Sequence, residues 1–546
     1  MYFRGVRAVD SPTLGQFRAY ADSAPSRLRL WGFPGDELEM VLRTSHVAHA
    51  ATVKRAHDPH LVPRLSRSEQ DAEGALIRWC LARERSREDS HDLAEGPSRA
   101  HMAWAREAID LAKSWAPLET ALILAEHEHK GFESKGRLVR FPYMDDPRYE
   151  ALDRRIGRPF ALAPDLSSTA EHMSLLREWA GRQEIGSFPD MSDREFSVAI
   201  RMARALRSQN PREIEPSTVV NGFSLTEAHA VWDVLHAWAF VSSIMTMASL
   251  DPRAALLTPT AATLVTDLSK NSGVTPDAVR EVVKMLTYRH GYHPDPAIAP
   301  LVSREDRILI PPLLVTTSNF ERNLLRVVAL DPSLQGPIGD ARGRVGTQRV
   351  AGLLATIPGV EVATNLEVRG QGHRDLGDLD VIALDLTARI GAILEVKWPA
   401  PPDHIIEILR LEEMLETAME RSARRKALLD AGEASIRSWP PYWPPYHDVQ
   451  WRWMVLVKDH LPYAGRLRRH ELTPTSWELL WVRCSDTLPG TLRRLELDYD
   501  LPEEGVDFWR VWRRASLAPY RVEIEGIELA PREGDPRDLS GIPAGS

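Results

Sequence analysis

Cysteine is scarce: Cys80 and Cys484 are the two in a chain of 546 residues. They stand far apart in sequence, which argues against a disulfide framework. It fits a reducing compartment, the cytoplasm, with both thiols packed as small apolar groups. An excess of basic residues is also missing. Lys and Arg number 68 against 77 Asp and Glu, for a net charge of -9. The overall field does not attract a polyanion, so any grip on nucleic acid has to come from a local patch. The opening residues, Met1 to Arg7, lack the apolar core of a signal peptide. No stretch reads as a membrane span. The most apolar one, 228–250, contains Asp233, His236, Ser242 and Ser243 and reads as a buried helix. Internal repeats and low-complexity tracts are absent.

What is present is ordinary globular material, 43% apolar and 27% charged. A single core rarely grows past ~250–300 residues, so a chain of this length implies two to four domains. Two short runs organise the reading. Residues 377–385 and 392–398 are rich in Val, Ile and Leu and bounded by Gly or Pro, as strands are. The residues between them are few enough for a hairpin. A hairpin centred near Ala388 sets Asp380 opposite Lys397, with Glu395 a diagonal neighbour. Glu395 and Lys397, two apart, share one strand face. Two carboxylates and an ammonium then converge at the end of an apolar sheet, where desolvating unpartnered charge is expensive.

Asp380 followed by Glu395-Val396-Lys397 resembles the PD-(D/E)xK superfamily, the restriction-endonuclease-like nucleases. The surroundings carry the same resemblance. The pattern predicts a helix over 342–357, strands over 360–368, 377–385 and 392–398, a long helix over 403–429 and a strand over 451–457. That is the αβββαβ core order of the superfamily, built on a mixed sheet. The resemblance implies that Asp380, Glu395 and the backbone carbonyl of Val396 hold Mg²⁺, with Mn²⁺ as a substitute. It also implies that Lys397 orients the attacking water and steadies charge on phosphorus. One departure stands out. Many members carry a Glu on the first core helix, and here the comparable stretch offers Gln348, which can contact a metal-bound water. Asp378 is a further candidate acid. A solvated ion pair, and a nuclease fold that has lost activity, are the competing readings of the same residues.

Residues 1–255 read as a helical domain of unknown role, open to recognition, regulation, homo-oligomerisation or a protein partner. Ser224 and Glu227 form a capping box for the apolar helix. His46 and His49, three apart, share a helical face but lack a third ligand. His127-Glu128-His129 reads as a solvated helix end, because adjacent residues diverge on a helix. Residues 256–335 read as a winged-helix-like connector: helix, Gly273 turn, helix capped at Thr275-Pro276, then a hairpin. Its second helix carries Asp277, Arg280, Glu281 and Lys284 of mixed sign, which favours an adaptor over a groove reader. The nuclease-like core spans 336–475, and 476–546 extends it and ends in a polar tail. Arg424, Arg425 and Lys426 on the long helix, and Arg468 and Arg469 beyond it, are expected to hold phosphates. The Trp439–Tyr446 loop, rich in proline, is open to base stacking, to a protein contact, or to covering the core. The sequence thus leads to the expectation of a metal-dependent nuclease, mostly helical at its N-terminal side, with DNA the default substrate and RNA open. The alternatives are an inactive nuclease fold that binds nucleic acid and a helical protein-interaction scaffold.

Overall fold

The computed structural model describes residues 10–55, 67–83, 98–160, 170–182, 191–207, 218–293, 295–329, 332–371, 375–400, 405–458, 472–496 and 499–530. Helices dominate the N-terminal part, and the C-terminal part is rich in mixed sheet. The helices are α1 (Leu14–Asp22), α2 (Glu37–Arg55), α3 (Arg67–Ala82) and α4 (Arg99–Glu126), followed by the hairpin β1 (Glu133–Lys135) and β2 (Leu138–Phe141). Next come α5 (Pro147–Phe160), α6 (Ala170–Ala180), α7 (Asp193–Arg207), the small hairpin β3 (Val219–Val220) and β4 (Phe223–Ser224), and α8 (Leu225–Ser249). The Ser224–Glu227 capping box opens α8: the Ser224 hydroxyl accepts from Glu227 N, and Glu227 accepts from Ser224 N at 2.7 Å. By length and composition α8 is apolar enough to cross a membrane, yet 89% of its most apolar window is buried inside the fold. Its apolar residues serve as core for both neighbouring helix layers.

Helices α9 (Ala261–Ser272) and α10 (Pro276–Leu286) follow, with Gly273 between them at φ 72°. Thr275 caps α10 through Ala278 N and Pro276 fills its first turn. A three-stranded sheet of β5 (Thr287–Tyr288), β6 (Leu301–Arg304) and β7 (Arg307–Leu309) leads to α11 (Pro312–Thr317) and α12 (Phe320–Ala329). On α10 the charges pair within the helix, Arg280 with Asp277 and Lys284 with Glu281. The inner face of α10, Val279, Val282 and Leu286, shares a core with α8.

The chain then runs through α13 (Pro332–Leu354), β8 (Val360–Gly370), β9 (Asp375–Asp385), β10 (Ile390–Lys397), α14 (Ile405–Asp430), β11 (Ala434–Ile436), β12 (Gln450–Val457) and β13 (Thr473–Ser476). These strands form one sheet of order β11-β8-β9-β10-β12-β13. β8, β9 and β10 are antiparallel neighbours, and β12 and β13 are parallel additions after the α14 crossover. Both faces are covered, which is why β9 and β10 read as nearly continuous apolar runs. Val381, Ala383, Leu394 and Val396 pack toward Val350 and Leu354 of α13, with α15 (Trp477–Arg483) and α16 (Leu488–Arg494) beside them. Ile382, Leu384, Ile393 and Val455 pack toward Leu411, Leu415, Ala418 and Met419 of α14.

The last hairpin, β14 (Phe508–Leu517) and β15 (Tyr520–Leu529), does not join that sheet. β15 pairs in parallel with β2, and Leu517, Tyr520 and Val522 enter one core with Phe17, Leu118 and Phe141.

Candidate functional site

The β9–β10 ladder runs from Ile390↔Asp385 to Leu394↔Val381. Continuing that register places Asp380 beside Glu395, not Lys397. The turn is centred between Thr387 and Ala388, close to the expected Ala388, but the residue of β10 opposite Asp380 differs by two from the sequence expectation, because Ile390 pairs with Asp385 and Leu386 to Arg389 form the connection. Beyond the last rung the backbone pairing is replaced. The Val396 N–H donates to Asp380 Oδ2 at 2.6 Å. Asp380 thus ends the ladder and holds the strand carrying Glu395 and Lys397.

Glu395 and Lys397 lie on the α14 face, in line with Ile393. Lys397 Nζ is 2.6 Å from Glu395 Oε1. The other oxygen, Oε2, is taken by Arg425 Nη2 at 2.5 Å. Arg425 also donates to the backbone carbonyl of Asp378. Its side chain is 9% exposed, against 31% for Lys397 and 11% for Glu395. Burial, and then the charge of Glu395, push the Asp380 carboxyl up to about 6, against the pull of the Val396 N–H, Lys397 and Arg425. The two acids are therefore near neighbours in a partly desolvated site.

Of the other expected residues, Gln348 is not brought to the acids. It is exposed on α13, the helix of the opposite sheet face, and makes no hydrogen bond to them among the described residues. The reason is Gly346. A Cβ there would lie 2.7 Å from the Trp398 ring, so α13 sits directly on Trp398 and turns Gln348 outward. Asp378 is exposed and offers its carbonyl to Arg425. Arg424 is exposed, and Lys426 is committed to Asp430 at 2.6 Å. Arg425 faces inward to Glu395 instead of outward, a signal that was present in the sequence. Leu411, Leu415, Ala418, Ser422, Arg425 and Leu429 fall at spacings of three and four, one buried helical stripe. Arg468 and Arg469 lie outside the described residues. The Trp439–Tyr446 loop folds onto the sheet's end, with Trp443 buried and Tyr446 stacked on Trp451 at 5.5 Å.

His129 is a correction. It is not a solvated helix end but is 3% exposed, with Nδ1 3.3 Å from Asp145 and Nε2 3.0 Å from Glu412 on α14. No sequence spacing signals partners so remote.

Chemically, two carboxylates suit a hard divalent cation. Among the described residues no group of three or more His, Cys, Asp and Glu is arranged to hold a metal ion. Two acids are supplied, and both oxygens of one carry organic cations. No family model, curated protein or solved structure matches the chain.

Proposed function

We propose that this chain is a metal-dependent nuclease whose 336–475 region has the restriction-endonuclease-like fold. One observation carries the reading. Asp380, Glu395 and Lys397 meet at the end of a central antiparallel pair, locked by the Asp380–Val396 hydrogen bond. The order helix, three strands, helix, strand and a mixed sheet support it. When bound, Mg²⁺ or Mn²⁺ supplies neutralisation of phosphate charge and a more acidic water. The chain's own part is to present hard oxygens from Asp380 and Glu395, and to keep the Lys397 cation at the rim. There Lys397 orients water and offsets charge on phosphorus. DNA is the default substrate and RNA the second. The 256–335 region is read as a winged-helix-like adaptor, since its α10 charges are spent on one another.

The test is incubation of the purified chain with single- and double-stranded DNA and RNA in Mg²⁺, Mn²⁺ or EDTA. Cleavage that EDTA abolishes is expected. Equal cutting in EDTA would overturn the metal role.

A second reading, a nuclease fold that binds without cutting, is favoured by Arg425. With Lys397 it balances the two acids, so net attraction for a dication is weak. Calorimetric titration with Mn²⁺ separates the readings. Arg425→Met is expected to bind Mn²⁺ at least tenfold more tightly than the parent if the acids form a metal site. Glu395→Gln in the same background is expected to reverse the gain. No Mn²⁺ binding by either protein favours the second reading.

A further inference from the structure

With a net charge of -9, nucleic acid has to be held by a local patch, and one such patch among the described residues lies outside 336–475. Strand β14 reads Phe-Trp-Arg-Val-Trp-Arg-Arg-Ala-Ser-Leu and is an edge of the sheet β1-β2-β15-β14. Its odd-numbered residues Ala515 and Leu517 face the core beneath, so Arg510, Trp512, Arg514 and Ser516 point to the opposite, outer face. Among the described residues, helix α5 covers that face at its Phe508 end, through Ala151 and Ile527. Trp512 is left 44% exposed, and Trp509 44% on the other side of the strand.

The cations around Trp512 are arranged unequally. Arg140 of β2 lies over its ring at 5.4 Å. Arg140 and Arg521 both pair with the buried Glu523, at 2.8 and 2.6 Å. Arg510 is shared between Glu504 and Glu525. Arg514, across from Glu523 in register, and Arg513 have no ion-pair partner among the described residues. Four arginines on the outer face therefore stand against three carboxylates, the buried Glu523 and Glu525 and the more exposed Glu504, and the excess positive charge, at Arg514, sits near an exposed indole.

We infer that the outer face of β14 binds single-stranded nucleic acid, with Trp512 stacking on a base and Arg514 and Arg521 contacting phosphates. An exposed ring flanked at i±2 by guanidinium groups suits a strand whose bases are unpaired; a duplex hides the faces that the ring needs. Charge complementarity selects the polyanion over an apolar partner. The inference rests on the nuclease reading only in calling the bound strand a substrate. Binding is measured with EDTA present, so the two ideas fail separately.

The experiment is fluorescence anisotropy of labelled single-stranded DNA, single-stranded RNA and duplex DNA of one length, at about 50 and 200 mM salt. The parent is expected to prefer a single strand. Trp512→Ala with Arg514→Ala is expected to weaken that binding by about tenfold or more and to flatten its salt dependence. Trp512→Phe, which keeps a stacking ring, is expected to stay within about threefold of the parent. Thermal unfolding of each variant checks its fold. Unchanged binding by a folded double variant would overturn the inference. So would a parent that prefers duplex, or one that binds no nucleic acid, which would make the patch a protein contact.

Discussion

At the scale of single residues, Asp380 carries a measurable cost. Burial, and then the charge of Glu395, push its carboxyl up to about 6 in the fold, against about 3.9 for the unfolded chain. The folded form therefore holds its proton more tightly than the unfolded one. The penalty is absent below the unfolded value, grows as pH rises through the window between the two, and is complete above about 6. Asp380→Asn keeps an acceptor for the Val396 N–H and removes the charge. We expect it to be more stable than the parent at pH 7 by on the order of 2–3 kcal/mol, with the difference vanishing near pH 4. Urea unfolding in EDTA at both pH values checks this. The gathering of Asp380, Glu395 and Lys397 at one strand end was legible because charge at the end of an apolar strand is unusual. The inward turn of Arg425 was hidden by its basic neighbours Arg424 and Lys426, although the helical stripe pointed to it.

At the scale of elements, the strands and the crossover helix were legible because apolar runs bounded by Gly and Pro have few alternatives. Register was not, since a turn's centre depends on which end residue pairs first. β10 depends on its partner strand at Gly391. A Cβ there would lie 2.1 Å from the Trp451 ring of β12, its partner in the parallel ladder. The Trp451 ring is stacked on Tyr446, edge-on to Trp439, and donates its Nε1 hydrogen to the Tyr446 carbonyl, so swinging it clear breaks those contacts. Gly391→Ala is expected to destabilise the protein by about 1–3 kcal/mol or more, read as a lower urea midpoint, and to weaken cleavage because β10 carries Glu395 and Lys397.

At the scale of the molecule, N-terminal elements meet the C-terminal hairpin. β15 adds to β2, a pairing no local pattern predicts, because its two strands are separated by most of the sequence. The same region is tied to the crossover helix by His129, whose two ring nitrogens face Asp145 and Glu412. His129→Ala removes the shared partner and leaves Glu412 poorly solvated. We expect a loss of about 1–3 kcal/mol, with easier proteolysis between the helical part and 336–475. Stability equal to the parent would mean that the contact does not join these parts.

The central claim is that three side chains at the end of β9 and β10 cut a phosphodiester. Single-turnover cleavage of labelled DNA with Mn²⁺, comparing the parent with Lys397→Gln at equal thermal stability, tests it most directly. The account predicts cutting by the parent and a loss of about a hundredfold or more in the variant. Equal rates from the two proteins would contradict it.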